Sequence, residues 1–146
     1  MITYTTGGKE FIDRIEPLWN KQRIHHSEIS THFSDDYITL AYSQRKQKFI
    51  DYGENIYISI ASDNNQDIGY CVASIVKDKG EIDSLYVNEN YRGYKIGTTL
   101  MNEALQWFAE NQISKIELIV ATGNEDVYKF YQKFGFYPRS TKLIKK

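Results

Sequence analysis

The chain has 146 residues, of which 18 are basic and 19 acidic, so its formal net charge is −1. A chain of this length fits one domain with a single core, without disulfides or metal to stabilise it. The near balance of charge provides no global field to attract nucleic acid or an anionic membrane, so a general nucleic-acid binder is not expected.

The single cysteine and the absence of long apolar runs predict a soluble, cytoplasmic protein. Cys71 cannot form an internal disulfide, which suits a reducing compartment. It lies in an apolar run, where a thiol has a raised pKa and is a poor nucleophile. No apolar run approaches the ~20 residues of a membrane span, and the N-terminus lacks the basic-then-apolar order of a signal peptide.

The N-terminal third begins with a predicted strand at residues 2–6, which Gly7 and Gly8 end. A helix follows, with Pro17 either kinking it or opening its second half; its buried face is formed by Phe11, Ile12, Ile15, Leu18 and Trp19. A more polar second helix is predicted from an N-cap in residues 34–36 to Gly53.

His25 and His26 are adjacent, so on a helix they point in different directions, and no third ligand stands at a recognisable spacing. We therefore expect no metal there. A polar helix end or a substrate-side loop explains the pair better.

Three strands are predicted in succession, at residues 56–62, 68–76 and 81–87, and the short turns between them favour an antiparallel meander. The pattern then predicts a helix after Gly93, a parallel strand at residues 115–121 reached by a crossover, a helix from Asn124 and a strand from Phe136. The chain therefore predicts an α/β (α+β) class with the order β-α-α-β-β-β-α-β-α-β.

The turn at residues 91–98 reads Tyr-Arg-Gly-Tyr-Lys-Ile-Gly-Thr and lies between a strand and an amphipathic helix. The first backbone N–H groups of a helix have no intrahelical partner and lie at the positive end of its dipole, where phosphate binds well. Gly93 and Gly97 would let the backbone approach a pyrophosphate, and Arg92 and Lys95 add positive charge. An ordinary strand-to-helix turn, with glycines serving only its geometry, is the alternative.

This turn resembles the acyl-CoA binding motif of the GNAT superfamily of N-acyltransferases, Gln/Arg-x-x-Gly-x-Gly/Ala. Arg92 takes the first place and Gly97 the last, whereas Lys95 replaces the middle glycine. Lys95 either points outward or binds phosphate itself. A second stretch, from Asn124 through Tyr131 to Phe136, resembles the family's Asn-x-x-Ala-x-x-Leu-Tyr-x-x-x-Gly-Phe. Two such motifs in the right order are far harder to meet by chance than either alone.

The resemblance spans the whole chain and implies a single GNAT domain over residues 1–146, with four helices around a mixed, mostly antiparallel sheet of six to seven strands. It also implies acetyl-CoA as co-substrate, with no metal. Acetyl-CoA would be bound by residues of the strand, the turn, the start of the following helix and the second motif: Leu85, Tyr86, Val87, Arg92, Gly93, Tyr94, Lys95, Ile96, Gly97, Thr98, Asn124 and Tyr131. The Val87 N–H is a candidate oxyanion donor.

Acyl transfer to an amine needs a proton acceptor, an oxyanion donor and a proton donor near sulfur. Tyr131 occupies the family's tyrosine position, where a phenol protonates the departing thiolate; the alternative is packing beside Phe130 and Phe134. Glu81 or Asp83, which share a face of one strand, would be the base, acting directly or through water. An ordinary surface acid is the alternative for each.

The sequence does not identify the amine that accepts the acetyl group. In this fold the first two helices build its pocket, which here would draw on Trp19, His25, His26, Tyr37 and Tyr42. Aromatic residues can receive a cation by stacking, but with 12 tyrosines in the chain they are explained equally well as core. We expect acetyl transfer to a small-molecule primary amine, by a homodimer or a monomer. A protein N-acetyltransferase and a non-catalytic acyl-CoA-binding module are the alternatives.

Overall fold

The computed structural model describes residues 1–146 and contains one five-stranded sheet with the strand order β1-β2-β3-β4-β5. The strands are β1 (Ile2–Gly7), β2 (Ile56–Asp63), β3 (Gln66–Val76), β4 (Lys79–Val87) and β5 (Lys115–Leu118). The first four strands pair antiparallel, and β5 pairs parallel to β4. The predicted meander and the parallel crossover are both confirmed.

Five α-helices cover the two faces of the sheet: α1 (Glu16–Ile29), α2 (Ser34–Thr39), α3 (Tyr42–Asp51), α4 (Ile96–Glu110) and α5 (Tyr128–Gln132). One core joins α1 and α3 to the sheet through Trp19, Phe49 and Tyr70. The other packs α4 on the opposite face through Leu100 and Phe108. None of these helices combines the length and apolarity needed to cross a bilayer.

The predicted second helix is wrong as a single element, because the chain is extended at Leu40 and Ala41 and divides it into α2 and α3. The Thr39 hydroxyl donates back to the Asp35 carbonyl at the end of α2. The Gln44 side chain then accepts from the Ala41 N–H and satisfies the start of α3. The helix count is therefore five rather than four.

The predicted six to seven strands are also too many. Strand β5 ends at Leu118 rather than residue 121, and residues 133–146 contain neither helix nor strand. Phe136 instead packs against the α4 core, and its N–H donates to the Tyr131 carbonyl. A strand needs a neighbouring strand to pair with, and here the chain after α5 finds a hydrophobic contact instead.

Two irregularities of β4 shape the region where the motifs meet. The register with β3 shifts between Ser84, opposite Val72, and Ile82, opposite Ala73, so that Asp83 is an extra, bulged residue. Strand β5 pairs with β4 only as far as Ile82. Residues 83–87 thus continue alone along this edge, and the two parallel strands diverge.

Candidate active site

A cavity of about 700 Å³ opens where β4 and β5 diverge. Its walls come from the free part of β4, the residues after β5, the N-terminus of α4, and helices α1, α2, α3 and α5. Of the predicted site residues, the cavity is lined by Asp83, Leu85, Tyr86, Val87, Arg92, Gly93, Lys95, Ile96, Gly97, Thr98, Asn124 and Tyr131. Glu81 and Tyr94 do not line it, and the Tyr94 side chain is 72% exposed.

The N-terminus of α4 presents free backbone donors to this cavity. The first intrahelical bond runs from the Thr99 N–H to the Lys95 carbonyl at 3.1 Å. The N–H groups of residues 96–98 therefore have no partner in the helix and lie at the positive end of its dipole. Arg92 and Lys95 add two cations to the same end of the cavity. The turn thus has the chemistry of an anion site.

Lys95 has a left-handed backbone conformation, with φ +62° and ψ +20°, immediately before α4 begins. Non-glycine residues adopt this region at a cost, because Cβ crowds the backbone. A glycine at this position of the family motif would carry no such cost. The substitution of lysine therefore adds a charge at the mouth of the turn and strains its backbone.

Gly97 lies where α4 and α5 pack closely. A Cβ atom on Gly97 would come 3.3 Å from Cζ of Phe130 and 3.9 Å from a Val87 methyl group. The absent side chain lets α5 approach the first turn of α4, which brings the two sequence motifs together. Gly93 has φ +89° and no atom near its missing Cβ, so its role is to allow the turn.

The free edge of β4 is held by side chains instead of a strand. The Leu85 carbonyl accepts from Nε2 of Gln22 at 2.9 Å, and the Val87 carbonyl accepts from Nε of Arg92 at 3.1 Å. Oε1 of Gln22 in turn accepts from the hydroxyls of Tyr70 and Ser84, at 3.0 and 2.9 Å. Gln22 therefore fixes α1 to the strand next to the bulge.

Tyr131 lies between the cavity and the α4 core, with its ring 5.2 Å from Phe130 and 6.4 Å from Phe136, centroid to centroid. Burial raises the pKa of its phenol, and no hydrogen bond contributes to the shift. The hydroxyl therefore stays protonated at neutral pH and is free to donate to a ligand. Both predicted roles, packing and proton donation, are compatible with this position.

Asp83 and Glu81 share the α1 face of the sheet as predicted, but only Asp83 reaches the cavity. Its side chain is fully buried, and the hydroxyls of Ser74 and Tyr52 donate to its two oxygens at 2.5 and 2.7 Å. Burial raises the pKa of both carboxyl groups, despite the hydrogen bonds that favour charged Asp83. Asp83 thus lines the cavity as a residue, but its carboxyl group has no exposed surface and accepts hydrogen bonds from two protein hydroxyls.

Helices α1 and α2 form the other end of the cavity. Trp19, His25, His26 and Tyr37 line it, whereas Tyr42 is buried beneath and its hydroxyl donates to the Ile12 carbonyl. The His26 ring lies 5.4 Å from that of Tyr37, and burial lowers the His26 pKa to about 4. His26 therefore presents a neutral imidazole at neutral pH. No group of three His, Cys, Asp or Glu side chains has an arrangement that could hold a metal ion.

Sequence reasoning missed Gln22, Arg45 and Ser84, which also line the cavity. Gln22 follows Leu18 and Trp19 at helical spacing, and Arg45 lies between Tyr42 and Phe49 on the buried face of α3. A polar residue within an apolar stripe was the available signal in both cases. Ser84 gave no signal, because its orientation depends on the bulge.

A family model described as the acetyltransferase (GNAT) family matches residues 21–136, and the chain therefore belongs to this family. The resemblance indicated by the two motifs, and the acyl-CoA N-acyltransferase fold expected from it, are confirmed.

The chain is similar to a putative [ribosomal protein bS18]-alanine N-acetyltransferase of Bacillus subtilis, with 32% identity over 56% of this chain and 54% of the relative. It is also similar to a spermidine N(1)-acetyltransferase of Thermoplasma acidophilum, with 34% identity over 51% of this chain and 46% of the relative. The matches thus span about half the length of these curated relatives.

Two solved structures share the fold over nearly the whole chain. One is the PaiA N-acetyltransferase of Thermoplasma acidophilum in complex with coenzyme A, with TM-score 0.77 and 23% identity over 97% of this chain and 93% of that one. The other is a putative acetyl transferase of Pyrococcus furiosus, with TM-score 0.80 and 22% identity over 100% and 99%.

Proposed function

We propose that this protein transfers the acetyl group of acetyl-CoA to a primary amine of a small molecule, and that residues 1–146 act as one N-acetyltransferase domain. The observation that carries the proposal is the single cavity that joins the donor-rich start of α4, the free edge of β4, Tyr131 and Asp83. This arrangement supplies an anion site, strand-edge backbone groups, a protonated phenol and a buried carboxylate.

The residues present fit the chemistry of the co-substrate. Arg92, Lys95 and the N–H groups of residues 96–98 would hold the pyrophosphate, and Leu85, Tyr86, Val87 and Asn124 would contact the pantetheine arm. The free edge of β4 supports this assignment, because β5 leaves it unpaired. When bound, acetyl-CoA supplies the activated acetyl group as a thioester.

The protein's part in the reaction is proton transfer and positioning. Asp83, once a local movement exposes its buried carboxyl group to the cavity, would take a proton from the acceptor ammonium so that the nitrogen lone pair can attack the thioester carbonyl. The Val87 N–H would stabilise the developing oxyanion, and Tyr131 would protonate the thiolate as the carbon–sulfur bond breaks. Asp83 is preferred over Glu81 because only Asp83 lines the cavity.

Thermal unfolding with and without acetyl-CoA tests the binding step, with NADH and ATP as controls. A ligand at ~100 times its dissociation constant adds about 2.7 kcal/mol, which raises the Tm of a domain of this size by several degrees. We expect a shift that is largest for acetyl-CoA. No shift at millimolar acetyl-CoA would contradict the proposal.

Thiol release from acetyl-CoA tests the transfer step with small amines, spermidine and a peptide that begins with alanine. We expect turnover with small amines. Turnover confined to the peptide would instead support a protein N-acetyltransferase, the activity in the name of the Bacillus subtilis relative. Binding of acetyl-CoA without turnover on any acceptor would support a non-catalytic module.

A further inference from the structure

Three arginines line the cavity, and two of them donate hydrogen bonds to backbone carbonyls. Nη1 of Arg23 donates to the carbonyls of Tyr37 and Ile38, at 3.1 and 2.8 Å. Arg92 donates to the Val87 carbonyl. Arg45, on α3, makes neither a hydrogen bond nor an ion pair, although it is partly buried in the cavity wall.

The carboxylates near Arg45 do not neutralise it. Glu81 and Asp83 both feel its charge, since it opposes the rise in pKa that burial imposes on each of them. Neither carboxylate lies within 4.0 Å of the guanidinium, and Asp83 already accepts from Ser74 and Tyr52 with the Lys48 ammonium 3.9 Å away. A partly buried guanidinium keeps five N–H donors in a planar fork, which a carboxylate matches with two parallel hydrogen bonds.

The charges at this end of the cavity also oppose a polycation. Asp83 is the only carboxylate that lines it among the residues of α1, α2, α3 and β4, whereas Arg23 and Arg45 contribute two positive charges. A polyamine would bring several ammonium groups to one carboxylate that already has three partners. An acceptor that carries a carboxylate beside its amine would instead provide Arg45 with an opposite charge.

We propose that the acceptor is a free amino acid, whose carboxylate is bound by Arg45 while its amine faces the acetyl donor. This inference rests on the proposed function, because it assigns the other half of the same cavity. The carboxylate of the acceptor becomes the ion-pair partner that Arg45 lacks within the protein. Selectivity for acid-bearing acceptors thus comes from α3, outside the two sequence motifs.

The test measures kcat/KM by thiol release for a panel of free amino acids and for the matching amino-acid amides, which keep the amine and side chain but lack the negative charge. We expect the wild-type protein to prefer at least one acid over its amide by about tenfold or more, the effect of one charged hydrogen-bonded pair. Arg45→Gln should reduce that ratio to about one, and Arg45→Lys should retain part of it.

Lys48→Gln is the matched control, because it removes a positive charge from the same helix close to Asp83 without altering the cavity wall. We expect this variant to keep the acid-to-amide ratio. If both variants lost the preference for the acid over the amide equally, Arg45 would act only through its charge on Asp83. That result would overturn the assignment.

Other outcomes are equally decisive. Amides acetylated as well as acids, turnover confined to spermidine or to the peptide, or no turnover with the panel despite binding of acetyl-CoA would each overturn the inference. Failure to bind acetyl-CoA would instead overturn the proposed function, so the two proposals fail in different experiments.

Discussion

Lys95 is the residue at which this chain departs most clearly from its family motif. Because its backbone conformation is left-handed, the effect of this substitution on stability can be measured. A side chain in this region costs about 1–2 kcal/mol, whereas glycine adopts it freely but loses about 0.5–1 kcal/mol more entropy on folding. Lys95→Gly should therefore raise the free energy of unfolding by about 0.5–1 kcal/mol. Thermal unfolding would show this as a Tm increase of a few degrees.

Lys95→Ala separates backbone strain from charge. Alanine keeps Cβ and therefore the strain, but removes the ammonium group. We expect no gain in Tm from this variant. An equal gain from alanine and glycine would mean that charge repulsion near Arg92, rather than backbone conformation, destabilises the turn.

Tyr131 is the residue whose assigned role depends most on a single atom, its hydroxyl. Tyr131→Phe keeps the ring contacts with Phe130 and Phe136 but removes the proton donor, so turnover should fall about 100-fold, the usual effect of one acid–base group. The affinity for acetyl-CoA, measured by thermal shift, should change little. Tyr128→Phe is the control, since Tyr128 does not line the cavity. If Tyr131→Phe kept the wild-type turnover, the role of Tyr131 would be packing and not proton donation.

Among the elements, α1 and β4 are joined by one side chain that sequence patterns did not reveal. Gln22→Ala removes the donor to the Leu85 carbonyl and one partner of the buried Tyr70 hydroxyl. We expect a loss of about 1–2 kcal/mol in unfolding free energy, seen as a Tm decrease of several degrees. Lys21→Ala, the neighbouring change on the exposed side, should stay within about 0.5 kcal/mol. Similar losses for both variants would argue against a specific link between helix and strand.

The elements that were predicted correctly are those defined by local signals. The central antiparallel strands follow from apolar runs bounded by short turns, and α4 follows from its apolar stripe after Gly93. The incorrect predictions concern segments whose conformation depends on contacts with residues distant in the sequence. The break at Leu40 depends on how Tyr42 and Phe49 enter the core, and the chain at Phe136 takes its place from α4.

The same distinction applies to the site. The turn at residues 92–98 was predictable because one contiguous motif provides its donors and cations. Gln22 and Arg45 reach the cavity only because α1 and α3 pack on the same face of the sheet, and the strand bulge turns Ser84 toward that face. Glu81, two residues earlier on β4, was an equal candidate in sequence and falls outside the cavity.

For the whole molecule, the buried carboxylate predicts a pH dependence of stability. Burial raises the pKa of Asp83 in the folded state, so the native protein holds this proton more tightly than the unfolded chain. Stability is then lost as pH rises from about 4, the usual aspartate pKa, through the raised value. The Tm difference between Asp83→Asn and the wild type should become more positive between about pH 4 and pH 7.

Asp67→Asn provides a control of opposite sign. The ion pair with Arg14 lowers the pKa of Asp67, so its contribution is present above the usual aspartate pKa and is lost as pH falls through the lowered value. The Tm difference for this variant should become more negative as pH rises from the lowered pKa to about 4, and should change little above that pH. A parallel trend in both variants would show that the pH dependence does not come from these carboxylates.

The divergence of β4 from β5 also bears on the solubility of the protein in concentrated solution. An unpaired strand edge is a template on which another chain can add by backbone hydrogen bonding, the first step of many aggregates. Here the free residues of β4 lie inside the cavity, between α1 and α5, where a slender ligand can enter but a second sheet cannot. On this side of the sheet, the edge strand β5 has only four residues and exposes Lys115 and Glu117. The unpaired edge of β4 is therefore accessible to a ligand in the cavity but not to the strands of a neighbouring molecule.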